Sequence, residues 1–365
     1  MLRQDRRNKI MRNKKADMTA LSKYVDVLHK KPRLLWLLWE ATTRCNFSCL
    51  HCGSNCGADE PADILTYDEI CRFLDQIADD FKPGEIMFCV TGGEPLMRDD
   101  LFDVMSRASA LGFHWGMTTN GVLLTEKIVQ KMLDTNCKTV SVSLDGLKDQ
   151  HNKMRGGDCF EQTLAGIKLL VQAGNFAEVQ ITTVIHKGNI HELNDIYGLV
   201  KSLDVDSWRL TNVEPIGRAH RMSGEFLTAD DFRKLFDFIR DCRQNRAELP
   251  VLFGCSHYVT EEFEKEIRDY YFICGSGTYV ASILCNGDIY GCLDIERKYG
   301  LVQGNIRKDR FSDVWKNGFK QFRQRRDLLS ETCRSCTDAE YCRGDSAHTW
   351  DFFENEPVYC LKKWK

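Results

Sequence analysis

From about residue 32 to residue 213 the chain alternates short apolar or β-branched runs with amphipathic stretches of helical period, and no other feature limits its fold as strongly. The runs at 34–42, 85–91, 113–119, 139–144, 178–185 and 207–213 read as strands, and 68–80, 100–110, 126–133, 160–173 and 190–203 as the helices between them. Strands joined by helical crossovers pair in parallel and are buried on both faces. Right-handed crossovers then curl the sheet, so the expected fold is α/β, a partial (β/α)6 TIM-like barrel. Chemistry in such barrels gathers at the C-terminal ends of the strands. The polar motifs fall there: the Cys45–Cys49–Cys52 loop after the first strand, Gly92-Gly93-Glu94-Pro95 after the second, Thr119-Asn120-Gly121 after the third and Ser143-Leu144-Asp145-Gly146 after the fourth. That register predicts one shared site.

The rest of the chain divides around this core. Residues 1–33 read as a solvated basic arm (Arg3, Arg6, Arg7, Lys9, Arg12, Lys14, Lys15), or as a contact for an acidic partner. The core is expected over 34–220, a helical bridge over 221–254 and a small cysteine-rich domain over 255–365. A net charge of −3 gives no field for a nucleic-acid partner. No apolar run is long enough for a membrane span, since the segment 34–39 meets Glu40 at once. The first residues are charged and do not read as a signal peptide. Seventeen cysteines in a reducing, cytoplasmic setting argue for metal ligation over disulfides.

Three thiolates spaced as Cys45-x3-Cys49-x2-Cys52 can hold three irons of a cubane and leave the fourth iron open for another ligand. Zinc is the alternative, but it favours two Cys-x2-Cys pairs or a closed Cys/His set, and His51 adjoins Cys52 too closely to ligate beside it. Gly92 and Gly93 let main-chain groups approach a ligand, and Glu94 or the carbonyls can accept from an ammonium. Together, in this order, these segments resemble the radical S-adenosylmethionine (SAM) enzymes. The resemblance implies a [4Fe-4S] cluster on Cys45, Cys49 and Cys52, which are catalytic through it, and SAM at the open iron, cleaved to a 5′-deoxyadenosyl radical. It further implies that Gly92, Gly93, Glu94 and Pro95 bind the methionine amino group, that Ser143 and Asp145 reach the ribose hydroxyls or the carboxylate, that Arg155 offers that carboxylate a planar fork, and that Ile185 packs the adenine. Asn120 follows the third strand in the same site. Read alone, Arg155 is equally a surface ion pair, Asn120 a turn residue and Ile185 core.

The tail, with Cys274, then Gly287 to Cys292, Cys333-x2-Cys336-x5-Cys342 and Cys360, resembles the SPASM extension, an auxiliary-cluster domain. Cys333, Cys336, Cys342 and Cys360 can close one cubane, or a zinc site. Ser346 stands where relatives carry a further cysteine, so a first auxiliary cluster is expected on Cys255, Cys274 and Cys292, with Cys285 as a candidate to join; one or two auxiliary [4Fe-4S] clusters follow. The turn Pro215-Ile216-Gly217-Arg218 resembles one found in relatives with extra clusters. Cys56, Cys71, Cys89, Cys137, Cys159 and Cys242 read as core.

SPASM relatives mostly act on peptides, so the expected activity is that of a radical SAM oxidoreductase, a peptide or protein maturase forming a thioether or carbon–carbon crosslink or an oxidised side chain. Its partners would be a peptide substrate and an external one-electron reductant such as flavodoxin or ferredoxin. The alternatives are tetrapyrrole maturation in alternative haem or haem d1 synthesis, and a non-catalytic Fe–S redox scaffold, which would not need SAM-binding segments. The first thirty residues are too few for a peptide-binding winged-helix domain of about eighty, so any leader contact falls to the arm or the bridge. Tyr290 and Asp294 are candidates to remove a proton.

Overall fold

The structure, a computed structural model, describes residues 14–59, 63–255, 257–358 and 360–364. Six parallel strands form its centre: β1 Trp36–Glu40, β2 Met87–Thr91, β3 His114–Thr119, β4 Cys137–Ser143, β5 Glu178–Ile185 and β6 Ser207–Asn212. Four more strands extend this sheet: β7 Val251–Phe253, β8 Val280–Ile283, β9 Asp288–Tyr290 and β10 Gly304–Asn305. The order is β10-β9-β8-β1-β2-β3-β4-β5-β6-β7. The strand and helix pattern of the core is the α/β partial barrel the sequence implies. The bridge and tail also contribute to its sheet: β7 pairs in parallel with β6, and β8 in parallel with β1.

Helices α1 Lys14–Lys30, α2 Tyr67–Asp80, α3 Leu101–Ala110, α4 Glu126–Asp134, α5 Lys148–Arg155, α6 Phe160–Ala173, α7 Leu193–Ser202 and α8 Ala229–Asn245 complete the main elements. A capping box starts α2, with the Thr66 hydroxyl accepting from Glu69 N and the Glu69 carboxylate accepting from Thr66 N. Arg307, from the tail, then donates to the same Glu69 at 2.7 Å and ties the C-terminal domain to the barrel.

Strand parity decides which side chains meet the helices and which meet the barrel interior. On β5, Val179, Ile181, Thr183 and Ile185 are buried beneath the helical layer, whereas Gln180, Thr182 and Val184 are half-buried. Trp39, Trp115 and Trp208 are each 0% exposed on the helix-facing side, and each such ring contributes on the order of 3 kcal/mol relative to exposure. The interior parity carries Leu38, Met87, Cys89, Thr91, Thr118, Ser141, Ser143, Thr182, Val184, Arg209 and Thr211, all half-buried. A dry shell therefore surrounds a lumen rich in hydroxyls, with apolar side chains among them.

The N-terminal segment differs from the expected solvated arm. From Lys14 it is helical, and α1 lies on the C-terminal domain: Met18 is buried, the Ser22 hydroxyl donates to the Glu340 carbonyl at 3.1 Å, and Arg343 donates to Asp26 at 2.8 Å. Arg3, Arg6, Arg7, Lys9 and Arg12 lie outside the described residues, as do the side chains of Lys14 and Lys15.

Candidate active site

The cysteine loop leaves β1 and is gripped by the ends of three other strands. From β3, Asn120 Nδ2 donates to Asn46 Oδ1 at 2.7 Å. From the segment after β4, Arg155 places Nη1 3.7 Å from Cys49 Sγ. After β6, Arg218 donates from Nε to the Cys49 carbonyl at 2.8 Å, from Nη1 to the Cys56 carbonyl at 2.5 Å and from its main-chain N to the Cys52 carbonyl at 3.0 Å. Gly217 holds a φ of +55°, and a Cβ there would stand 2.2 Å from the Gly53 carbonyl. Glycine at this turn lets Arg218 reach the loop.

Burial pushes the Cys45 thiol up to about 11 and raises Cys49 as well, the latter against the pull of Arg155. Cys52 is drawn the other way by a hydrogen bond from the Cys56 thiol, which keeps its proton. Cys56 thus sits beside a cluster cysteine rather than in remote core. Thiols give up their protons when a metal takes the sulfur, and these three, two held protonated by burial and Cys52 ionising more readily, fit on one clasped loop the cluster the sequence implies.

Gly92 and Gly93 lie against the start of this loop. A Cβ on Gly92, whose φ is +139°, would meet the Thr42 carbonyl at 2.3 Å, and one on Gly93 the Arg44 carbonyl at 2.1 Å. Main chain lies on main chain here, and Gly93 N and Glu94 N bond the Thr42 and Arg44 carbonyls at 2.7 and 2.9 Å. Glu94 is 0% exposed. Its Oε1 accepts from Thr119 Oγ1 at 2.8 Å and from Leu96 N, and its Oε2 from Asn120 N at 2.8 Å. Burial raises its pKa against these bonds. Glu94 therefore spends most of its acceptor capacity joining β2 to β3, and Pro95, behind it, starts a short 3-10 turn.

Asp145 and Arg155 are joined to one another. Arg155 Nη2 lies 2.8 Å from Asp145 Oδ2 and His51 Nε2 lies 3.3 Å from the same oxygen, while Oδ1 accepts from Val184 N. Against the cost of burial, Arg155 and then His51 hold the Asp145 carboxyl down at about 2. Burial pushes His51 down to about 4, so the imidazole is neutral near pH 7. The expected surface pair is thus a buried one whose fork serves Asp145 and Cys49. Ser143 faces the lumen and makes no side-chain bond among the described residues. Ile185 is corrected: it is 0% exposed on the helix-facing parity of β5, so it cannot line an adenine pocket, and Val184 faces the lumen at that level.

Two features went unread in the sequence. Arg209 projects from β6 across the lumen, donating to Thr182 Oγ1 at 3.1 Å and reaching Ser141 Oγ at 3.5 Å. Among the described residues no carboxylate lies within ion-pair distance of it, and burial lowers its pKa. Glu214, at the end of β6, is wedged between His257 and His348.

The C-terminal cysteines separate into groups. Cys342 and Cys360 act on each other electrostatically, Cys336 N bonds the Cys333 carbonyl at 3.3 Å, and Ser330 caps the turn that carries Cys333. Cys274 accepts from Ala347 N at 3.3 Å and is close enough to Cys292 to raise its pKa. A cavity between α1 and this domain is lined by Cys274 and Cys342 together with Arg325 and Arg343. The sulfur donors, grouped in this way, fit auxiliary clusters. Cys255, by contrast, lies against Glu214 and accepts from Asn212 N, and Cys285 lies against Glu40.

A curled parallel sheet with a three-cysteine loop, a glycine cradle and a cysteine-rich extension defines an iron–sulfur enzyme. The Radical SAM superfamily matches residues 39–200, and the SPASM iron-sulfur cluster-binding domain matches residues 274–337. AdoMet-dependent heme synthase of Methanosarcina barkeri is 32% identical over 351 residues, covering 90% of this chain and 96% of the relative. Mycofactocin maturase MftC of Mycobacterium tuberculosis is 30% identical, covering 84% of this chain and 77% of the relative. The fold is shared with Streptococcus suis SuiB bound to S-adenosylmethionine, at a TM-score of 0.66 and 20% identity over 86% of this chain and 73% of that one. The chain belongs to the radical SAM superfamily and carries a SPASM domain. It is an enzyme of that class, using SAM, a [4Fe-4S] cluster and auxiliary iron–sulfur clusters. No helix among the described residues is long and apolar enough to cross a membrane.

Proposed function

We propose that this enzyme modifies a peptide, taking a hydrogen atom from a substrate residue held in the barrel lumen and leaving a crosslink, thioether or carbon–carbon, or an oxidised side chain. The observation that carries the reading is the character of the lumen. Hydroxyls of Thr91, Thr118, Ser141, Ser143, Thr182 and Thr211 line it beside Leu38, Met87 and Val184, together with the Arg209 guanidinium, which has no carboxylate partner among the described residues. Such a surface suits a hydrogen-bonding chain carrying one carboxylate. A tetrapyrrole presents broad apolar faces and several carboxylates, and would call for apolar walls and several cations.

When bound, SAM and its cluster supply the 5′-deoxyadenosyl radical, and auxiliary clusters accept the electron left after hydrogen abstraction. Cys45, Cys49 and Cys52 would hold the first cluster, Cys333, Cys336, Cys342 and Cys360 a second, and Cys274 with Cys292 would contribute to any third. The main chain at Gly92 and Gly93 offers carbonyls to the ammonium, and Ser143 a hydroxyl to the ribose or carboxylate. Asp145 and Arg155 hold the loop rather than the ligand. Arg209 would fix the substrate carboxylate. An external one-electron reductant such as flavodoxin or ferredoxin, in a reducing cytoplasm, would supply the electrons.

The relative of 32% identity, covered over 96% of its length, favours a second reading, maturation of a tetrapyrrole. The two are separated by anaerobic coexpression with a small peptide encoded beside this gene, followed by mass spectrometry. A mass loss matching a new crosslink or oxidation, absent with Cys49→Ala, supports the peptide reading. Conversion of an iron-porphyrin carboxylate substrate by the purified enzyme, with the peptide unchanged, rejects it.

A further inference from the structure

Three segments distant in sequence bring a mixed set of metal-ligating side chains together outside the SAM site. Glu214 ends β6, Cys255 and His257 follow β7, and Asp345 and His348 flank Ser346 in the tail. The ligand atoms of Glu214, Cys255 and His257 all lie within 4.8 Å of one another. His257 is 0% exposed, Cys255 8% and Glu214 9%. His348 Nε2 stands 2.8 Å from Glu214 Oε2, which brings a fourth donor to the group.

The surroundings are built to hold these donors in place. His257 Nδ1 pairs with Asp345 Oδ2 at 3.0 Å, and Asp345 Oδ1 is in turn fixed by Tyr258 N at 2.8 Å. A carboxylate on one ring nitrogen, leaving the other aimed at a shared point, is the arrangement that orients histidine ligands in metal sites. Here the other nitrogen, Nε2, pairs with Glu214 Oε1, 2.5 Å away, in a contact that a bound ion would replace. Asn212 N donates to Cys255 Sγ at 3.3 Å and orients the sulfur, while burial and the Glu214 carboxylate hold the thiol pKa well above its ordinary value until a metal takes the sulfur. Arg268, itself 0% exposed, donates to the carbonyls of both Cys255 and His257 and so locks the backbone between them. The Cys255 thiol bonds the same Glu214 carboxylate and so adds a sulfur donor to the group.

We propose that Glu214, Cys255, His257 and His348 bind one divalent transition-metal ion of the zinc class, with Asp345 orienting His257. One sulfur, two imidazole nitrogens and one carboxylate oxygen are the donor types and the number that a tetrahedral zinc site takes. The ion would staple the ends of β6 and β7 to the tail segment around Ser346. Cys255 is then a mononuclear ligand and not a ligand of the first auxiliary cluster. The proposal does not depend on whether the substrate is a peptide.

The test is metal analysis of the anaerobically reconstituted, chelator-washed full-length enzyme, with zinc, iron and sulfide counted per chain, alongside Co2+ titration of the same protein. The wild type is expected to hold one zinc beyond its iron, and cobalt in its place should give tetrahedral d–d bands with a thiolate-to-cobalt charge-transfer band. Cys255→Ser should abolish that charge-transfer band and release the zinc while iron and sulfide stay constant. Asp345→Asn should weaken cobalt binding by about 10- to 100-fold. Loss of iron and sulfide together in Cys255→Ser makes Cys255 a cluster ligand and overturns the proposal. So does zinc that persists in that variant, or a wild-type enzyme that takes up neither zinc nor cobalt, a result that needs no variant to fold.

Discussion

Removing the Arg155 guanidinium tests whether the buried pair with Asp145 organises the cysteine loop. Asp145 sits at about 2 against an ordinary 3.8. By linkage that depression is worth about 2 kcal/mol of stability, present at neutral pH and lost as the pH falls from about 4 through about 2. Arg155→Met costs more than this, because it strands a carboxylate that is 0% exposed, and breaking a buried pair from one side costs about 3–5 kcal/mol. His51 then changes role. Its proton is disfavoured by burial and by Arg155, and favoured by Asp145 at 3.3 Å. Without Arg155 burial still opposes that attraction but the cationic neighbour does not, so the imidazole pKa rises from about 4 and His51 takes up its proton at a higher pH.

A histidine whose folded pKa is depressed costs stability as the pH falls below its unfolded value, because the unfolded chain takes up the proton first. The wild type, with His51 at about 4, should therefore lose stability as the pH falls from about 6.5 through about 4, and Arg155→Met should show a smaller loss over that range. Arg155→Met/Asp145→Asn should recover about 2 kcal/mol of the single-variant loss, since no buried charge is left over. Anaerobic urea denaturation of reconstituted protein, followed by tryptophan fluorescence over this pH range, reads all three. A single-variant cost under about 1 kcal/mol, with the double variant no better, would refute the reasoning.

Gly93→Ala places a Cβ 2.1 Å from the Arg44 carbonyl, so equilibrium dialysis should find SAM binding weakened at least about tenfold, since a displacement of even about 1 Å can be that costly. Arg209→Leu removes the lumen cation; substrate-free SAM cleavage should persist while turnover of a carboxylate-bearing substrate falls about 100-fold, consistent with loss of one charged hydrogen bond. Met18→Ala opens a gap under α1, where the side chain is 3% exposed, and should lower stability by about 2 kcal/mol in the same urea assay. Deleting residues 1–30 should accordingly destabilise the C-terminal domain and lower its iron content, an outcome that separates a structural helix from a detachable peptide-binding arm.

Where local pattern and burial agree, the sequence is readable to the residue. Strand β5 alternates strictly, and α6 begins after Cys159 and ends at Gly174 in the left-handed conformation, so both match the expected 178–185 and 160–173. Helix α5 is different: Lys148–Arg155 has no apolar stripe, and it is fixed by burial of His151, Met154 and Arg155 and by Gly156 at its end. Strands β8 to β10 are two to four residues long, and β8 finds its partner in β1 across most of the chain. No local period can reveal such pairing. Ile185 is a different kind of miss, since the alternation along β5 already puts it on the helix-facing side. The Glu214, Cys255, His257 and His348 group draws on segments with no shared spacing, so only the folded chain unites it.

The cysteine motif is compact in sequence, yet what holds it is not local. Its clamps come from Asn120, Arg155 and Arg218, at sequence separations of 74, 106 and 169 from the loop residues they contact. Closing contacts over such spans costs chain entropy before any bond repays it, so the loop acquires its shape only when β3, β4 and β6 are already in the sheet. The side chains that sequence reasoning gave to the cofactor are largely those that do this closing. Glu94 joins β2 to β3, Arg155 with Asp145 joins the β4 end to Cys49, and the lumen is left with hydroxyls, main-chain carbonyls, the apolar Leu38, Met87 and Val184, and Arg209. Division of labour follows: charged groups buried behind the loop set its geometry, and small neutral groups face the ligand. Charge-neutral variants behind the loop should therefore act first on cluster retention, and variants in the lumen on substrate turnover with the cluster intact.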